Sequence, residues 1–113
     1  MTILIVEDNE QMRNFEKLIL SHWGHTTIEA DNGITGVNAF VKNNPDVVLM
    51  DIKMGDTDGI EATRLIREIS STVKIIMVTD YDEKSLRKRA NEAGANDYVL
   101  KENLLELKTR LIK

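Results

Sequence analysis

Cysteine is absent from the 113 residues of this chain. Without thiols the chain has neither a disulfide framework nor a thiolate metal site, which fits a cytosolic protein. No apolar run approaches the roughly 20 residues that span a bilayer. The N-terminus also lacks a basic region and a small-residue cleavage site, so we expect neither a membrane span nor a secretory signal.

An excess of positive charge is absent as well. The chain has 15 basic and 19 acidic residues, which gives a net charge of −4. This balance argues against electrostatic binding of nucleic acid. The length suits one domain, residues 1–113, with a real core, and is too short for two.

Short β-branched runs alternate with segments of helical period along the chain. This alternation predicts an α/β fold in which helices surround a parallel sheet. The predicted strands lie near residues 2–6, 26–30, 46–50, 74–78 and 97–100.

Five helices are predicted between and after these strands. The first should end at Gly24, the second before Pro45, the only proline, and the fourth at Gly94. The fifth should start near Glu102. The apolar residues that recur at helical spacing are, in chain order, Met12, Phe15 and Ile19; Ile34, Val37 and Val41; Ala62, Leu65, Ile66 and Ile69; Leu86, Ala90 and Ala93; and Leu104, Leu107 and Leu111.

Three acidic residues follow two of the predicted strands. Glu7 and Asp8 come after the first strand, and Asp51 comes after the third. Since the carboxyl ends of parallel strands meet at one edge of the sheet, these carboxylates should cluster there. Clustered acids repel one another, and a partial cage of carboxylates suits Mg²⁺, so we expect a magnesium site. The alternative is that Asp8 only caps the first helix.

A threonine and a lysine follow the last two strands. Thr79 comes after the fourth strand and Lys101 after the fifth. Either residue alone would be an ordinary loop residue, but beside the acids they supply a hydroxyl donor and a cation for phosphoryl oxygens. The set predicts a phosphoryl-transfer site with an aspartate nucleophile.

With these motifs the chain resembles the receiver domain of two-component response regulators over essentially its whole length. The resemblance implies a doubly wound, flavodoxin-like parallel sheet of five strands in the order 2-1-3-4-5, with five helices. The matching segments are Val6-Glu7-Asp8-Asn9, Leu49-Met50-Asp51-Ile52-Lys53-Met54, Asp58-Gly59, Val78-Thr79 and Gly94-Ala95-Asn96-Asp97-Tyr98-Val99-Leu100-Lys101.

The resemblance also implies roles for individual residues. Asp51 corresponds to the phosphoacceptor. Asp8 corresponds to a direct Mg²⁺ ligand and Glu7 to an outer or water-mediated one, and the backbone carbonyl of Lys53 would complete the set.

Three further residues correspond to the family's switch. Thr79 and Lys101 would each bind a phosphoryl oxygen, and Tyr98 would turn inward when Thr79 moves. The resulting change would reach the surface formed by the fourth helix, fifth strand and fifth helix, where an output domain or a second copy could bind.

The implied phosphoryl donor is a sensor histidine kinase or a histidine phosphotransfer protein. The domain would promote only its own phosphorylation and dephosphorylation and would not otherwise be an enzyme. Because receivers are mostly fused to effectors, and because the fifth helix is short, we also expect the chain to be part of a longer protein.

Three positions depart from the family's pattern. Gly55 replaces a common proline and should loosen the loop after Asp51. Glu102 replaces another proline, so the peptide bond after Lys101 should be trans. Asp80 replaces a very small residue, and it either opposes an incoming phosphoryl group or turns away to cap the fourth helix.

The residues alone leave three other functions to be considered. A degenerate receiver would be a phosphorylation-independent interaction module. A flavodoxin-like FMN carrier needs a phosphate-cradling loop after the first strand, where Glu7-Asp8-Asn9 would repel a phosphate. An aspartyl phosphatase usually carries a second aspartate at the position of Lys53.

Overall fold

The five long strands of the chain form one parallel sheet. In the computed structural model, which describes residues 1–112, the strands with two or more residues are β1 Thr2–Val6, β2 Thr26–Ala30, β3 Val47–Met50, β4 Lys53–Met54, β5 Thr57–Asp58, β6 Lys74–Thr79 and β7 Asp97–Leu100. Lys113, the last residue of the predicted domain, lies outside the described residues. All five predicted strands are confirmed to within one residue.

The sheet has the order β2-β1-β3-β6-β7. Counted over the five long strands, this is the predicted order 2-1-3-4-5, and all four neighbouring pairs are parallel. β1 lies between two neighbours, since Ile3 is opposite both Thr27 and Val47. The fold is therefore the flavodoxin-like, doubly wound fold.

Alternate side chains of the central strands enter two different apolar clusters. Leu4 and Val6 point to one face of the sheet and Ile3 and Ile5 to the other, as strand periodicity requires. Both faces are covered by helices, which explains why the central strands are continuous apolar runs rather than alternating ones.

Five α-helices and one 3₁₀ segment connect or follow the strands. They are α1 Glu10–His22, α2 Gly33–Asn43, α3 Gly59–Ile69, α4 Lys84–Ala93, the 3₁₀ segment Lys101–Glu106 and α5 Leu107–Ile112. Asn9, Asn32 and Asp58 cap the first three helices through their side chains. The predicted ends of the first, second and fourth helices are confirmed, and α4 ends at Gly94 with a positive φ of 110°.

The predicted buried faces of the helices were only partly right. Leu86, Ala90 and Ala93 of α4 are buried as expected, and so are Leu104, Leu107 and Leu111 of the C-terminal segment. Phe15 of α1 is half exposed, however, while Leu20 and Glu16 are the buried residues.

The helices α2 and α3 show the largest correction. Ile34 and Val41 are exposed, whereas Gly36 and Phe40 face the sheet. A Cβ at Gly36 would lie 2.9 Å from a methyl group of Val6, so the absent side chain lets the helix backbone approach β1. On α3, Leu65 and Ile69 are exposed while Ile66 is buried.

Two local features were not predicted. Lys53–Met54 and Thr57–Asp58 form a small antiparallel hairpin after β3. Gly55 lies in its turn with a φ of 60°, which a proline cannot adopt. The fifth helical segment begins as a 3₁₀ helix, so α5 itself starts only at Leu107. The described residues contain no cis peptide bond, which confirms the trans bond after Lys101.

Candidate functional site

The carboxyl ends of β1, β3, β6 and β7 place the predicted site residues at one edge of the sheet. Glu7, Asp51 and Thr79 are almost completely buried there. Asp8 is exposed at the rim. The strand order explains this convergence, because β1 and β3 are neighbours and β6 and β7 lie beside them.

Lys101 links the acids of this edge. Its Nζ lies 2.7 Å from Glu7 Oε1, 3.1 Å from Asp51 Oδ2 and 4.0 Å from Asp80 Oδ2. Burial alone would lower the pKa of Lys101, but the hydrogen bond with Glu7 and the charge of Asp51 raise it above its ordinary value. The lysine therefore stays protonated and is a cation that contacts all three carboxylates.

Both oxygens of Asp51 have partners. Oδ1 accepts a hydrogen bond of 2.8 Å from the backbone N–H of Ile52, and Oδ2 accepts one from Lys101. Burial raises the pKa of Asp51 and of Glu7 above their ordinary values, and the contacts with Lys101 oppose this effect. A buried carboxylate held in one orientation beside a cation is suited to act as a nucleophile.

Glu7, Asp8 and Asp51 can approach a shared cation. Each offers one carboxylate oxygen, and these three atoms all lie within 4.8 Å of one another. Asp8 does not cap α1, since Asn9 is the cap and its side chain accepts from the N–H of Met12. The capping alternative for Asp8 is therefore wrong, and its carboxylate is left at the mouth of the site.

The predicted switch residues lie beside the acids and are joined by a loop. Thr79 Oγ1 is 3.4 Å from the backbone N–H of Tyr81, and the hydroxyl of Tyr98 donates to the backbone oxygen of Tyr81. The guanidinium of Arg87 in α4 lies 4.4 Å from the centre of the Tyr98 ring. Tyr81 therefore connects the threonine to the tyrosine and thereby to α4.

Lys53 contacts the same loop by its side chain. Its Nζ lies 4.2 Å from the centre of the Tyr81 ring. The hairpin after β3 and the loop after β6 are therefore in contact.

Asp80 faces the site rather than α4. Its carboxylate lies 4.0 Å from Lys101 Nζ, while its side chain is 72% exposed. α4 begins after Glu83, and no side chain caps its N-terminus. The capping alternative for Asp80 is therefore wrong, and Asp80 is the third acid in contact with Lys101.

Sequence analysis missed a buried carboxyl group in α1. Glu16 is 2% exposed, and its Oε2 has no hydrogen-bond partner among residues 1–112. Burial, together with the charge of Glu7, raises the pKa of Glu16 to about 8. The signal was present in the sequence, since Glu16 lies four residues from both Met12 and Leu20 on the apolar face of the helix.

Within the described residues, none of the helices combines the length and the apolar character needed to cross a lipid bilayer.

Comparisons with known proteins agree with this geometry. A family model described as the response regulator receiver domain matches residues 3–112. The chain therefore belongs to the response regulator receiver domain family, a family of signalling domains in two-component systems. This membership sets aside the flavodoxin-like FMN carrier.

Individual relatives differ in length. The chemotaxis protein CheY of Halobacterium salinarum is 40% identical over 99 residues, which cover 88% of this chain and 82% of that protein. The regulatory protein AtoC of Escherichia coli is 38% identical over 99 residues, which cover 88% of this chain but only 22% of that protein. A solved CheY-like receiver domain from Methanospirillum hungatei has a TM-score of 0.92 at 28% identity, and the match covers 98% of this chain and 90% of that one.

Proposed function

We propose that the chain, taken as one receiver domain over residues 1–113, is a switch that accepts a phosphoryl group on Asp51. The observation that carries the proposal is the arrangement of Asp51, which is buried, held by the N–H of Ile52 and paired with Lys101 at 3.1 Å. The donor class is a phosphohistidine on a sensor histidine kinase or a histidine phosphotransfer protein.

In the proposed transfer, a carboxylate oxygen of Asp51 attacks the phosphorus atom of the phosphohistidine. The phosphorus–nitrogen bond breaks, and its electron pair remains on the imidazole nitrogen. Lys101 exchanges its contacts with the acids for one phosphoryl oxygen, and the Thr79 hydroxyl donates to another. The domain promotes only its own phosphorylation and its own hydrolysis back to the free acid.

The residues present fit a divalent cation. Glu7, Asp8 and Asp51 offer oxygens within 4.8 Å of one another. Among residues 1–112, these acids and Asp80 outnumber the one lysine that forms ion pairs with them. Mg²⁺, held by Asp8, Asp51 and the backbone carbonyl of Lys53, with Glu7 in an outer position, would offset negative charge between the acids and the phosphoryl group.

The signal leaves the site through Thr79. Its movement toward the phosphoryl group would release Tyr81, which is hydrogen-bonded to Tyr98, and would shift α4. The altered surface of α4, β7 and α5 would bind an output domain or a second copy. We place this function in the cytoplasm, without direct contact to nucleic acid or membrane.

One observation favours a second candidate, the phosphorylation-independent interaction module. Asp80 adds a fourth negative charge near Lys101, where an incoming phosphoryl group would have to bind. Phosphorylation and metal binding separate the two candidates, because the degenerate module would show neither.

The test is phosphorylation with acetyl phosphate. In the presence of millimolar Mg²⁺ the domain should gain the mass of one phosphoryl group, and the amides of Asp8 and Asp51 should shift on metal titration alone. Asp51→Asn should abolish the mass gain, whereas Asp56→Asn, at an exposed acid of the neighbouring hairpin, should retain it. A phosphorylated Asp51→Asn protein would move the acceptor elsewhere, and a metal-insensitive, unphosphorylated parent would favour the degenerate module.

A further inference from the structure

The outer faces of α2 and α3 carry several exposed apolar side chains. Ile34 and Val41 of α2 are 68% and 62% exposed, and Leu65 and Ile69 of α3 are 42% and 54% exposed. Ile34 and Val41 are two helical turns apart and Leu65 and Ile69 about one, so each pair lies on one side of its helix. These are the residues whose spacing predicted burial, and the fold leaves them without a partner among the described residues.

A groove runs between the two helices. Its volume is about 450 Å³, and its lining includes Gly33, Ile34 and Val37 on one side and Thr57, Ala62 and Leu65 on the other. Both helices pack on the same side of the parallel sheet, and the groove lies between their N-terminal turns. We call this surface the α2/α3 groove.

The floor of the α2/α3 groove is built from ordered contacts. Thr57 Oγ1 accepts from the N–H of Gly33 and donates to the backbone oxygen of Met54, each at 3.0 Å. A Cβ at Gly33 would lie 3.3 Å from Ala62 Cβ, so a side chain there would crowd the contact between the helices. The groove is therefore a fixed part of the fold.

One end of the groove is acidic. Asp56, Asp58 and Glu61 lie there, and all three are exposed. Glu61 pairs with Arg64, and Asp58 lies 3.6 Å from Arg89, while Asp56 has no ion-pair partner among residues 1–112. The rim therefore keeps a net negative charge beside an apolar floor.

We propose that the α2/α3 groove binds an amphipathic helix of another protein, with apolar side chains at intervals of three and four residues and with Lys or Arg flanking them. The apolar stripe matches the anchors of such a helix, and the acidic rim matches its basic flanks. A second copy fits less well, because a symmetric contact would bring two acidic rims together. This surface is formed by other helices than the α4, β7 and α5 surface, which it meets at the Asp58–Arg89 pair, and its lining does not include Asp51.

The test uses a defined probe, an amphipathic helical peptide of leucine and lysine of about 14 residues, or ~21 Å as a helix. Added to the whole domain, it should shift the amides that line the groove. Ile34→Ser and Leu65→Ser should each weaken binding by about tenfold, the loss expected when an apolar anchor is removed. Because both side chains are exposed, the fold should tolerate these changes. Leu18→Ser, at an exposed leucine of α1, is the matched control and should bind as the parent does.

The charge of the partner is tested separately. A leucine and glutamate peptide of the same length should bind at least about tenfold more weakly than the leucine and lysine peptide. Asp56→Asn should reduce this difference in affinity between the two peptides. Equal binding of both peptides, or shifts centred on Phe15 and Leu18, would overturn the proposal. So would a dimer that Ile34→Ser converts to a monomer, which would assign the face to a second copy, or amide shifts at the groove with anionic phospholipid vesicles.

Discussion

At the scale of single residues, the candidate site is governed by an imbalance of charge. Four acids, Glu7, Asp8, Asp51 and Asp80, gather near one lysine that contacts three of them. The imbalance favours a cation and disfavours a phosphoryl anion, so the metal should bind before the phosphoryl donor. Asp80 adds to the excess of negative charge, and its side chain is exposed to solvent.

Removal of Asp80 should therefore speed phosphorylation. The Asp80 side chain is mostly exposed, so solvent should weaken the effect of its charge. Asp80→Ala should therefore react with acetyl phosphate roughly two- to fivefold faster, as for a charge interaction of up to ~1 kcal/mol. Since Asp80 does not cap α4, the melting temperature should stay nearly the same.

Glu83→Ala is the matched control. Glu83 is an acid of the same loop, but it forms no ion pair with Lys101. Equal rates for Asp80→Ala and the parent would show that the Asp80 charge does not reach the acceptor.

Glu16 makes the stability of the domain depend on pH. Its folded-state pKa is about 8, against about 4.5 when exposed. Below pH 4.5 both states are protonated. Between the two values the unfolded state loses its proton first, so stability falls as the pH rises, and the loss is complete above pH 8.

The substitution Glu16→Gln should remove this dependence. Urea unfolding of the parent should lose a few kcal/mol between pH 5 and pH 9 relative to the variant, since each unit of pKa shift corresponds to ~1.4 kcal/mol. The comparison concerns how the free energy of unfolding changes with pH. A destabilisation by the buried amide that is the same at every pH therefore does not affect it. Glu68→Gln, at an exposed glutamate of α3, should keep the slope of the parent. Parallel pH curves for parent and Glu16→Gln would contradict the assignment.

At the scale of elements, the start of α3 lies directly against the loop that carries Asp51. The N–H of Gly59 donates to the backbone oxygen of Ile52 at 2.6 Å. A Cβ at Gly59 would lie only 1.7 Å from the backbone oxygen of Asp51. Glycine at this position is therefore required by the close approach of two backbones, and it ties the orientation of α3 to the acceptor.

The substitution Gly59→Ala should move α3 away from the acceptor loop and destabilise the fold by about 3 kcal/mol or more, the upper range for overpacking. The control is Gly55→Ala, where the new Cβ meets open space and only the positive φ of 60° opposes it, at a cost of about 1–2 kcal/mol. Urea unfolding of both variants measures the difference. Equal losses would mean that the loop relaxes around the Gly59 side chain.

The elements also show which features of the fold are readable in the sequence. The central strands were predicted because both faces of β1, β3 and β6 are buried, which leaves continuous apolar runs. The buried faces of α2 and α3 were harder to predict from the spacing of apolar residues. There the approach to the sheet depends on small residues such as Gly36 and Ala62, while larger apolar residues such as Ile34 and Leu65 face outward.

The position of the site residues could be predicted from the sequence for a different reason. Glu7, Asp51 and Lys101 each follow an apolar run directly, so the strand prediction also predicted their meeting point. Glu16 was missed because helical spacing was traced only through apolar residues. The orientation of Asp80 depends on where α4 begins, and no capping side chain in the sequence marks that start.

At the scale of the whole molecule, the sheet separates two apolar clusters that have different neighbours. Met12 and Ile19 of α1 pack with Leu107 and Leu111 of α5 on one side. The residues of α2, α3 and α4 pack on the other. The α2/α3 groove therefore lies on the side of the sheet that is covered by α2, α3 and α4, while the Lys101 contacts lie at the carboxyl edge of the sheet.

The interior position of β1, between β2 and β3, has a consequence for how quickly the chain folds. β1 precedes both of its neighbouring strands in the sequence. Ile3 can pair only after Thr27 on one side and Val47 on the other have reached it. Parallel pairing cannot arise from a tight turn, so each partner arrives only after a helical crossover has closed. We expect slower folding than for a helical bundle of similar size, and the apolar run Ile3–Val6 should be the segment most exposed to misassociation until β3 is in place.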